Sequence, residues 1–156
     1  TALKAAEGDF IVIQDADLEY SPDDYDKLLP LLISNTADVA YGSRFLSENN
    51  NKNFILKNKI ANIFLTLLTN VLYGCKITDM ETCYKAFKSD ILKSVQIKSD
   101  RFDFEPEITA KILKKKVRLK EFPISYNGRE YSEGKKINWK DGFQAIFALI
   151  KYRFTD

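Results

Sequence analysis

The sequence predicts a single α/β domain, and two features of the chain carry this prediction. Phe10–Ile13 is continuously apolar, which is typical of a strand buried on both faces of a sheet. Along the rest of the chain, short strand-like runs alternate with longer segments that have helical signals. With 156 residues, the chain is long enough for one hydrophobic core and too short for two.

The first elements follow from short local signals. Residues 1–7 have the composition of a helix end, closed by a glycine before the first strand. Ser21, Pro22 and the two acids after them predict a helix start, because serine can cap the first N–H groups and proline suits the first helical position. Residues 37–41 predict a second strand, which leads into the polar segment 42–44.

The later elements are longer. Residues 54–73 form an apolar helix that polar residues interrupt, which favours a core or dimer-interface helix over a membrane span. Residues 83–88 and 117–126 predict two more strands, and residues 105–116 predict a helix. Residues 139–154 predict a closing amphipathic helix. Docking of its apolar stripe on the domain or a second copy is the default, and a membrane surface is the alternative.

The composition excludes several classes of catalytic site. The chain has no histidine, which removes Ser-His-Asp and Cys-His catalysis and histidine-ligated zinc. Its two cysteines, Cys75 and Cys83, match no zinc spacing and form no disulfide framework. A reducing compartment, and therefore the cytoplasm, is the expected location.

The net charge of +2 conceals a strong polarity along the chain. Residues 1–30 contain eight acids and two lysines, whereas residues 111–140 contain ten basic residues and three acids. A basic region of this kind can serve phosphates, nucleic acid or an anionic membrane, or can simply solvate a helix face. Nucleic acid is not an expected partner, because the run Lys114–Lys116 has no interleaved aromatic residues and belongs to no recognisable module.

The segment after the first strand supplies candidate metal ligands. Asp15, Asp17 and Glu19 would point the same way if the extended conformation persisted, because side chains alternate along a strand. They would lie at the carboxyl edge of the sheet, where open α/β folds bind ligands. Three oxygen donors suit Mg²⁺ or Mn²⁺ and the phosphates such an ion carries. The alternative is a strand end followed by a helix cap.

Five segments that occur in order resemble the family 2 glycosyltransferases, and most of all the dolichyl- or polyprenyl-phosphate sugar transferase branch. They are residues 15–20, 41–45, 78–87, 101–108 and 123–129. The resemblance implies an incomplete GT-A (Rossmann-like) fold, with a mixed sheet flanked by helices. It also implies that residues 1–156 are the carboxyl-terminal portion of a single domain, whose base- and ribose-binding strands would come earlier.

The same resemblance implies an inverting transfer of a sugar from a nucleotide diphosphate sugar, assisted by Mg²⁺ or Mn²⁺. The implied acceptor is a polyprenyl phosphate or a glycan hydroxyl. By similarity, Asp17 is the firmest metal ligand, Asp15 contacts the ribose or the water shell of the metal, and Glu19 is an additional ligand. Arg44 would lie near the phosphates, with a salt bridge at a strand end as the alternative.

Asp79 is the implied catalytic residue, because an acid in this region removes the proton of a hydroxyl acceptor in relatives. With a lipid phosphate acceptor no base is needed, and Asp79 would instead position the acceptor or the sugar. Glu81 would contact sugar hydroxyls or cap a turn. Lys85 lies where the family has a substrate-binding glycine-aromatic-basic segment, in which Cys83 replaces the usual glycine.

Arg129, Lys135 and Lys136 belong to a polar stretch that could close over a diphosphate or recruit a lipid phosphate. A solvated loop is the alternative. The segment 101–105 is interpreted as structural, with acids at the start of a helix. The resemblance thus implies a cytoplasmic glycosyltransferase fragment, peripheral at the inner face of the membrane, that carries metal, acceptor and lid elements but lacks much of the donor site and is expected to be inactive alone. The alternative is a self-associating module that forms a homodimer.

Overall fold

A four-stranded mixed sheet lies at the centre of the fold, as the sequence predicts. The structure is a computed structural model that describes residues 2–47, 51–52, 54–99, 101–129 and 139–156. The strands of the sheet are β1 (Phe10–Ile13), β2 (Val39–Ser43), β4 (Lys85–Lys88) and β5 (Leu119–Pro123), in the order β1-β4-β2-β5. Only β4 is antiparallel to its neighbours, since β2 and β5 pair in parallel. A two-stranded parallel sheet joins β3 (Asn51–Lys52) to β6 (Tyr126–Asn127).

Helices cover both faces of the sheet. They are α1 (Ala2–Ala5), α2 (Tyr25–Ile33), α3 (Leu56–Tyr73), α4 (Ser89–Lys93), α5 (Phe104–Lys114) and α6 (Trp139–Phe154), and a short 3₁₀ turn at Pro22–Asp24 precedes α2. On one face, Leu28 and Leu32 of α2 are buried against Phe122 of the sheet. On the other face, Ile108 and Ile112 of α5 are buried against strand residues. These two buried clusters fix the orientation of the sheet between its helices.

Several element boundaries differ from the prediction. β1 is only half-buried, because it is an edge strand within the part of the chain that the structure describes. The strand predicted at residues 83–88 begins at Lys85, and the one predicted at 117–126 is limited to β5, with β6 as a separate strand. α4 directly follows β4 and was not predicted, since five residues are too few to show a helical period.

The topology brings four segments of the chain to one edge of the sheet. β1, β2 and β5 end there, and antiparallel β4 begins there. The segments that follow or precede these ends are therefore neighbours in space. The strands approach closely at Gly42, where a Cβ atom would lie 2.7 Å from the Ile124 side chain. Glycine is thus needed at this position for packing, not for its backbone angles.

α3 and α6 lie side by side and run in the same direction. The hydroxyl of Tyr73 near the end of α3 donates to the carbonyl of Leu149, at 2.8 Å, and Arg153 donates to the carbonyl of Leu72, also at 2.8 Å. Leu65 and Leu149 belong to the buried cluster between the helices. None of the described helices combines the length and hydropathy that a membrane crossing requires.

Candidate active site

A cleft of about 760 Å³ opens at the edge of the sheet where the strand ends meet. One end is polar and is lined by the acids and arginines that the sequence singled out: Asp15, Asp17, Glu19, Arg44, Glu81 and Arg129. The other end lies between α3 and α6 and is lined by apolar side chains that include Phe64, Trp139, Phe143 and Ile146. The cleft therefore has a charged end and an apolar end.

The chain leaves the extended conformation after Ile13 and turns, so that Asp15 contacts Cys83 whereas Asp17 and Glu19 both contact Arg129. The turn is held by the Asp17 carboxylate, which accepts the backbone N–H of Glu19 at 3.2 Å. It is also held by β6, since the backbone N–H of Asn127 donates to the carbonyl of Glu19 at 2.9 Å. The expected array of three converging ligands is therefore not formed. Within the described residues, no group of three or more acids or cysteines is placed to hold a metal ion.

Arg129 lies between two of these acids. Its guanidinium donates to Asp17 Oδ2 at 2.6 Å and is 3.5 Å from Glu19 Oε1, while its backbone N–H donates to Glu19 at 2.8 Å. Burial raises the pKa of Asp17, and the neighbouring Glu19 and Asp15 carboxylates raise it further, against the opposing effects of the Glu19 N–H and Arg129. The Arg129 guanidinium thus lies beside a group of carboxylates, a position that favours a cation.

Asp15 also lines the cleft and is exposed. Its carboxylate accepts a hydrogen bond from the Cys83 thiol, whose sulfur is 2.8 Å from Oδ2. Burial raises the pKa of Cys83 well above its usual value, and the nearby Glu105 and Asp15 charges add to this rise. Cys83 is therefore a neutral donor and not a reactive thiolate.

Arg44 and Asp79 form a buried ion pair. Both guanidinium contacts, from Nε and Nη2 to the two Asp79 oxygens, are 2.7 Å long, and the backbone N–H of Arg44 donates to Oδ2 at 2.9 Å. Asp79 is fully buried and Arg44 is 6% exposed. This differs from the expectation for a general base, because neither carboxylate oxygen of Asp79 faces the cleft. Asp79 fixes Arg44, which does line the cleft.

Aromatic rings and a second carboxylate support this ion pair. The Arg44 guanidinium carbon lies 5.3 Å from the centre of the Phe54 ring and 5.2 Å from that of Tyr126. Glu121 of β5 accepts the backbone N–H groups of Thr78 and Asp79, at 2.8 to 3.1 Å. The segment that carries Asp79 is therefore held from β5. Neither Tyr126 nor Glu121 was singled out from the sequence.

Lys85 was predicted to bind substrate, and the structure buries it instead. Its ammonium group is fully buried, forms an ion pair with Glu105, and donates to the carbonyls of Met80 and Thr82. With these partners around it, Lys85 closes the turn that precedes β4. Glu105 was assigned only to the start of a helix. Its carboxylate also forms the ion pair with Lys85, which lies 20 positions earlier in the chain.

Glu81 differs from the other acids of the site. Its Oε1 atom is buried and has no hydrogen-bond partner among the described residues, and the side chain lines the cleft. Burial raises the pKa of Glu81 to about 7, with Lys85 opposing the rise and Glu105 increasing it. A carboxyl group in this state can donate a hydrogen bond into the cleft. Lys135 and Lys136 lie outside the described residues.

Comparisons with known proteins agree on one family. A family model described as Glycosyl transferase family 2 matches residues 1–96. The chain is 31% identical over 144 residues to the UDP-N-acetylglucosamine–dolichyl-phosphate N-acetylglucosaminyltransferase of Methanococcus voltae, covering 91% of this chain and 57% of that protein. It is 28% identical over 130 residues to the undecaprenyl-phosphate mannosyltransferase of Micrococcus luteus, covering 81% and 53%. The chain thus spans little more than half the length of each relative.

A solved structure with the same fold is glucosyl-3-phosphoglycerate synthase from Mycobacterium tuberculosis, crystallised with Mn²⁺, UDP and phosphoglyceric acid. The TM-score is 0.70 and the identity 14%, and the superposition covers 99% of this chain and 52% of that one. At this identity the likeness concerns the fold alone, which is of the GT-A type. The predicted GT-A architecture is confirmed over the half that this chain spans.

Proposed function

Because the chain belongs to glycosyl transferase family 2, we propose that it takes part in transferring a sugar from a nucleotide diphosphate sugar to a polyprenyl phosphate. Two relatives support this acceptor, since their names pair sugar transfer with dolichyl phosphate in one case and undecaprenyl phosphate in the other. The acceptor carries a long apolar chain, so the reaction is expected at a membrane surface.

The observation that carries the proposal is the two-ended cleft. A polyprenyl phosphate combines an anionic head with an apolar tail, and the cleft combines cationic Arg44 and Arg129 with apolar walls from α3 and α6. A glycan acceptor would need hydroxyl-binding groups along its length. Phe64, Trp139 and Phe143 suit an isoprenyl chain and offer a glycan no hydrogen bonds, while the polar lining residues of the same helices are few: Lys57, Asn58, Asn62 and Asp141.

The donor diphosphate calls for a divalent cation, and the acids of the site suit one. Mg²⁺ and Mn²⁺ are commonly held by one or two carboxylates and by substrate phosphates, so a complete protein cage is not required. Asp15 and Asp17 supply two carboxylates to one cleft, and Asp17 already holds the Arg129 guanidinium. The M. tuberculosis enzyme with the same fold was crystallised with Mn²⁺ and UDP, which supports a divalent cation beside the donor diphosphate. We assign Asp17 and Asp15 as the ligands, while Glu19 accepts hydrogen bonds from the Tyr126 hydroxyl and the Arg129 backbone N–H and holds the turn.

The remaining residues position the reactants. A bound cation would neutralise the negative charge of the departing nucleoside diphosphate. Arg129, released from Asp17, would pair with a phosphate, and Arg44 would present its fixed guanidinium to the acceptor head. An oxygen of the acceptor phosphate forms the bond to the anomeric carbon as the bond to the diphosphate breaks on the opposite face, which inverts the configuration. This nucleophile is anionic, so no general base is needed and Asp79 acts by holding Arg44.

The experiment is a transfer assay on the full chain, with a panel of nucleotide sugars and with polyprenyl phosphate or an oligosaccharide as acceptor. The proposal predicts a glycolipid product of inverted anomeric configuration, formed only with Mg²⁺ or Mn²⁺. Chelation by EDTA should abolish the product, and added Mn²⁺ should restore it. Transfer to the oligosaccharide alone would overturn the lipid acceptor, and full activity in EDTA would overturn the metal assignment.

A further inference from the structure

An apolar surface that the core does not use lies along α3 and α6. On α3, six large apolar side chains form one stripe and are more than 40% exposed: Leu56, Ile60, Ile63, Phe64, Leu67 and Val71. On α6, the corresponding stripe consists of Trp139, Phe143, Phe147, Ile150 and Phe154, with Phe154 80% exposed. Since the two helices are parallel neighbours, we call the two stripes together the α3–α6 face. Exposed apolar surface of this extent marks an interaction site.

The charges around the α3–α6 face have one dominant sign. α3 contains Lys57 and Lys59 and no acid. α6 contains Lys140, Lys151 and Arg153 against the single acid Asp141. Both lysines of α3 lie near its start, while Lys151 and Arg153 lie near the end of α6, so positive charge is present at both ends of the apolar stripes. Such a pattern is typical of helices that lie in the interface of an anionic membrane.

The α3–α6 face is also continuous with the cleft. Phe64, Trp139 and Phe143 line the apolar end of the cleft and are at the same time 56%, 72% and 66% exposed. A ligand could therefore pass from whatever covers this face into the cleft without crossing water. Tryptophan is enriched at the level of the lipid headgroups, which fits the place of Trp139 at the start of α6.

From these observations we infer that the α3–α6 face docks on an anionic lipid bilayer, with the cleft opening toward the membrane. The inference rests on the proposed function only for the identity of the lipid that enters the cleft. A second copy of the chain fits less well, because a symmetric dimer would bring two positively charged faces together. A bilayer containing anionic lipids attracts the same charges and accepts the apolar stripes.

The chain provides its own reporter for this docking. Trp139 is its one tryptophan, and it lies on the α3–α6 face. Vesicles of phosphatidylcholine with phosphatidylglycerol should shift its emission to the blue and shield it from acrylamide, and brominated lipids should quench it. Vesicles of phosphatidylcholine alone should bind more weakly, and salt should weaken the binding to anionic vesicles. Unchanged emission with anionic vesicles would overturn the inference.

A double variant tests which residues make the contact. Leu67→Ser with Phe147→Ser removes two exposed side chains of the face that do not line the active-site cleft. Co-sedimentation with anionic vesicles should fall at least about tenfold, because two apolar side chains no longer enter the bilayer. Ile33→Ser is the matched control, since Ile33 is 67% exposed and belongs to α2 on the other face of the sheet. An equal loss in both variants would contradict the assignment.

Two further measurements separate the alternatives. Sedimentation velocity without lipid shows whether a second copy of the chain covers the face. The inference would be overturned if the wild type formed a dimer, the double variant were a monomer, and vesicles did not bind the wild type. Transfer to a water-soluble, short-chain isoprenyl phosphate tests the proposed function without a membrane. The double variant should keep this rate while losing vesicle binding. A protein that catalyses this transfer but does not bind vesicles would contradict the docking surface and leave the proposed function unaffected.

Discussion

Arg44 and Arg129 lie at the same edge of the sheet and both pair with carboxylates, yet their environments differ. Arg44 makes two 2.7 Å contacts to the fully buried Asp79, and two aromatic rings flank it. Arg129 is shared between Asp17 and Glu19, and its side chain is 38% exposed. The Arg44 pair is therefore buried in the protein, whereas the Arg129 pairs lie at the surface of the cleft.

The difference shows which acids are available for chemistry. Removal of one partner from a buried pair leaves an uncompensated charge, so Arg44 and Asp79 are fixed to each other. The Arg129 pair is only partly exposed, with 38% of the Arg129 side chain and 17% of the Asp17 side chain open to solvent, so water and ions can compete for its partners and its contribution to stability is smaller. Asp17 can therefore exchange its guanidinium for another cation, whereas Asp79 cannot. On this basis we propose that the cation binds at Asp17 and that Asp79 has a structural role.

The largest expected effect is on folding. Asp79→Ala should lower the free energy of unfolding by about 3–5 kcal/mol, because the buried Arg44 guanidinium would lose both of its 2.7 Å contacts to the Asp79 carboxylate. Urea denaturation followed by circular dichroism measures this change. Asp17→Asn is the matched control and should alter the free energy by no more than about 1 kcal/mol. Equal stability of the two variants would remove the distinction between the two pairs.

The second effect is on activity, and here the substitution at Asp17, which changes stability little, has the large effect. Asp17→Asn should reduce metal-dependent sugar transfer by about 100-fold or more, because the neutral amide no longer holds the ion that stabilises the leaving diphosphate. Initial rates at saturating Mn²⁺ provide the measurement. Asp26→Asn on α2 controls for the loss of an acid outside the cleft. A near-normal rate for Asp17→Asn would mean that the cation binds elsewhere.

Glu81 sharpens the comparison through its dependence on pH. Its pKa of about 7 lies above the ordinary value of 4.5, so between these values the unfolded chain loses a proton that the folded protein keeps. Wild-type stability should therefore fall relative to Glu81→Gln as the pH rises from about 4.5 to 7, by on the order of 2 kcal/mol. Thermal unfolding of both proteins across this range tests the prediction, and parallel curves would refute it.

The smallest effect concerns competition at Asp17. Arg129→Ala should tighten the binding of Mn²⁺ alone by up to about fivefold, since the guanidinium no longer occupies the carboxylate. Arg129→Lys retains the charge and should change the affinity less. Titration followed by the electron paramagnetic resonance of free Mn²⁺ gives both affinities. Weaker binding in Arg129→Ala would indicate that Arg129 organises the acids and does not compete for them.

Local patterns predicted the frame of the molecule. β1, α3 and α6 were expected within two residues of their observed bounds, because each has a continuous apolar run or a clear helical period. The mixed sheet follows from the family resemblance and not from the periodicity. The exposure of α3 could not be predicted, because the sequence pattern of an apolar helix is the same whether its outer stripe contacts protein or lipid.

The geometry of the site was less predictable because distant contacts shape it. The turn at Asp15–Tyr20 is held by residues 126–129, more than 100 positions away. Lys85 is buried because Glu105 reaches it from another element. In both cases, the residue type indicated that the side chain pairs with an oppositely charged group. Which group it pairs with depends on the fold and could not be predicted from the local sequence.

The central claim is that Asp17 holds a divalent cation together with the diphosphate of the donor. The most direct measurement is Mn²⁺ binding, by electron paramagnetic resonance, with and without UDP or pyrophosphate, in the wild type and in Asp17→Asn. Either diphosphate should increase the amount of protein-bound Mn²⁺ in the wild type, and Asp17→Asn should abolish this increase. The same increase in both proteins would contradict the claim.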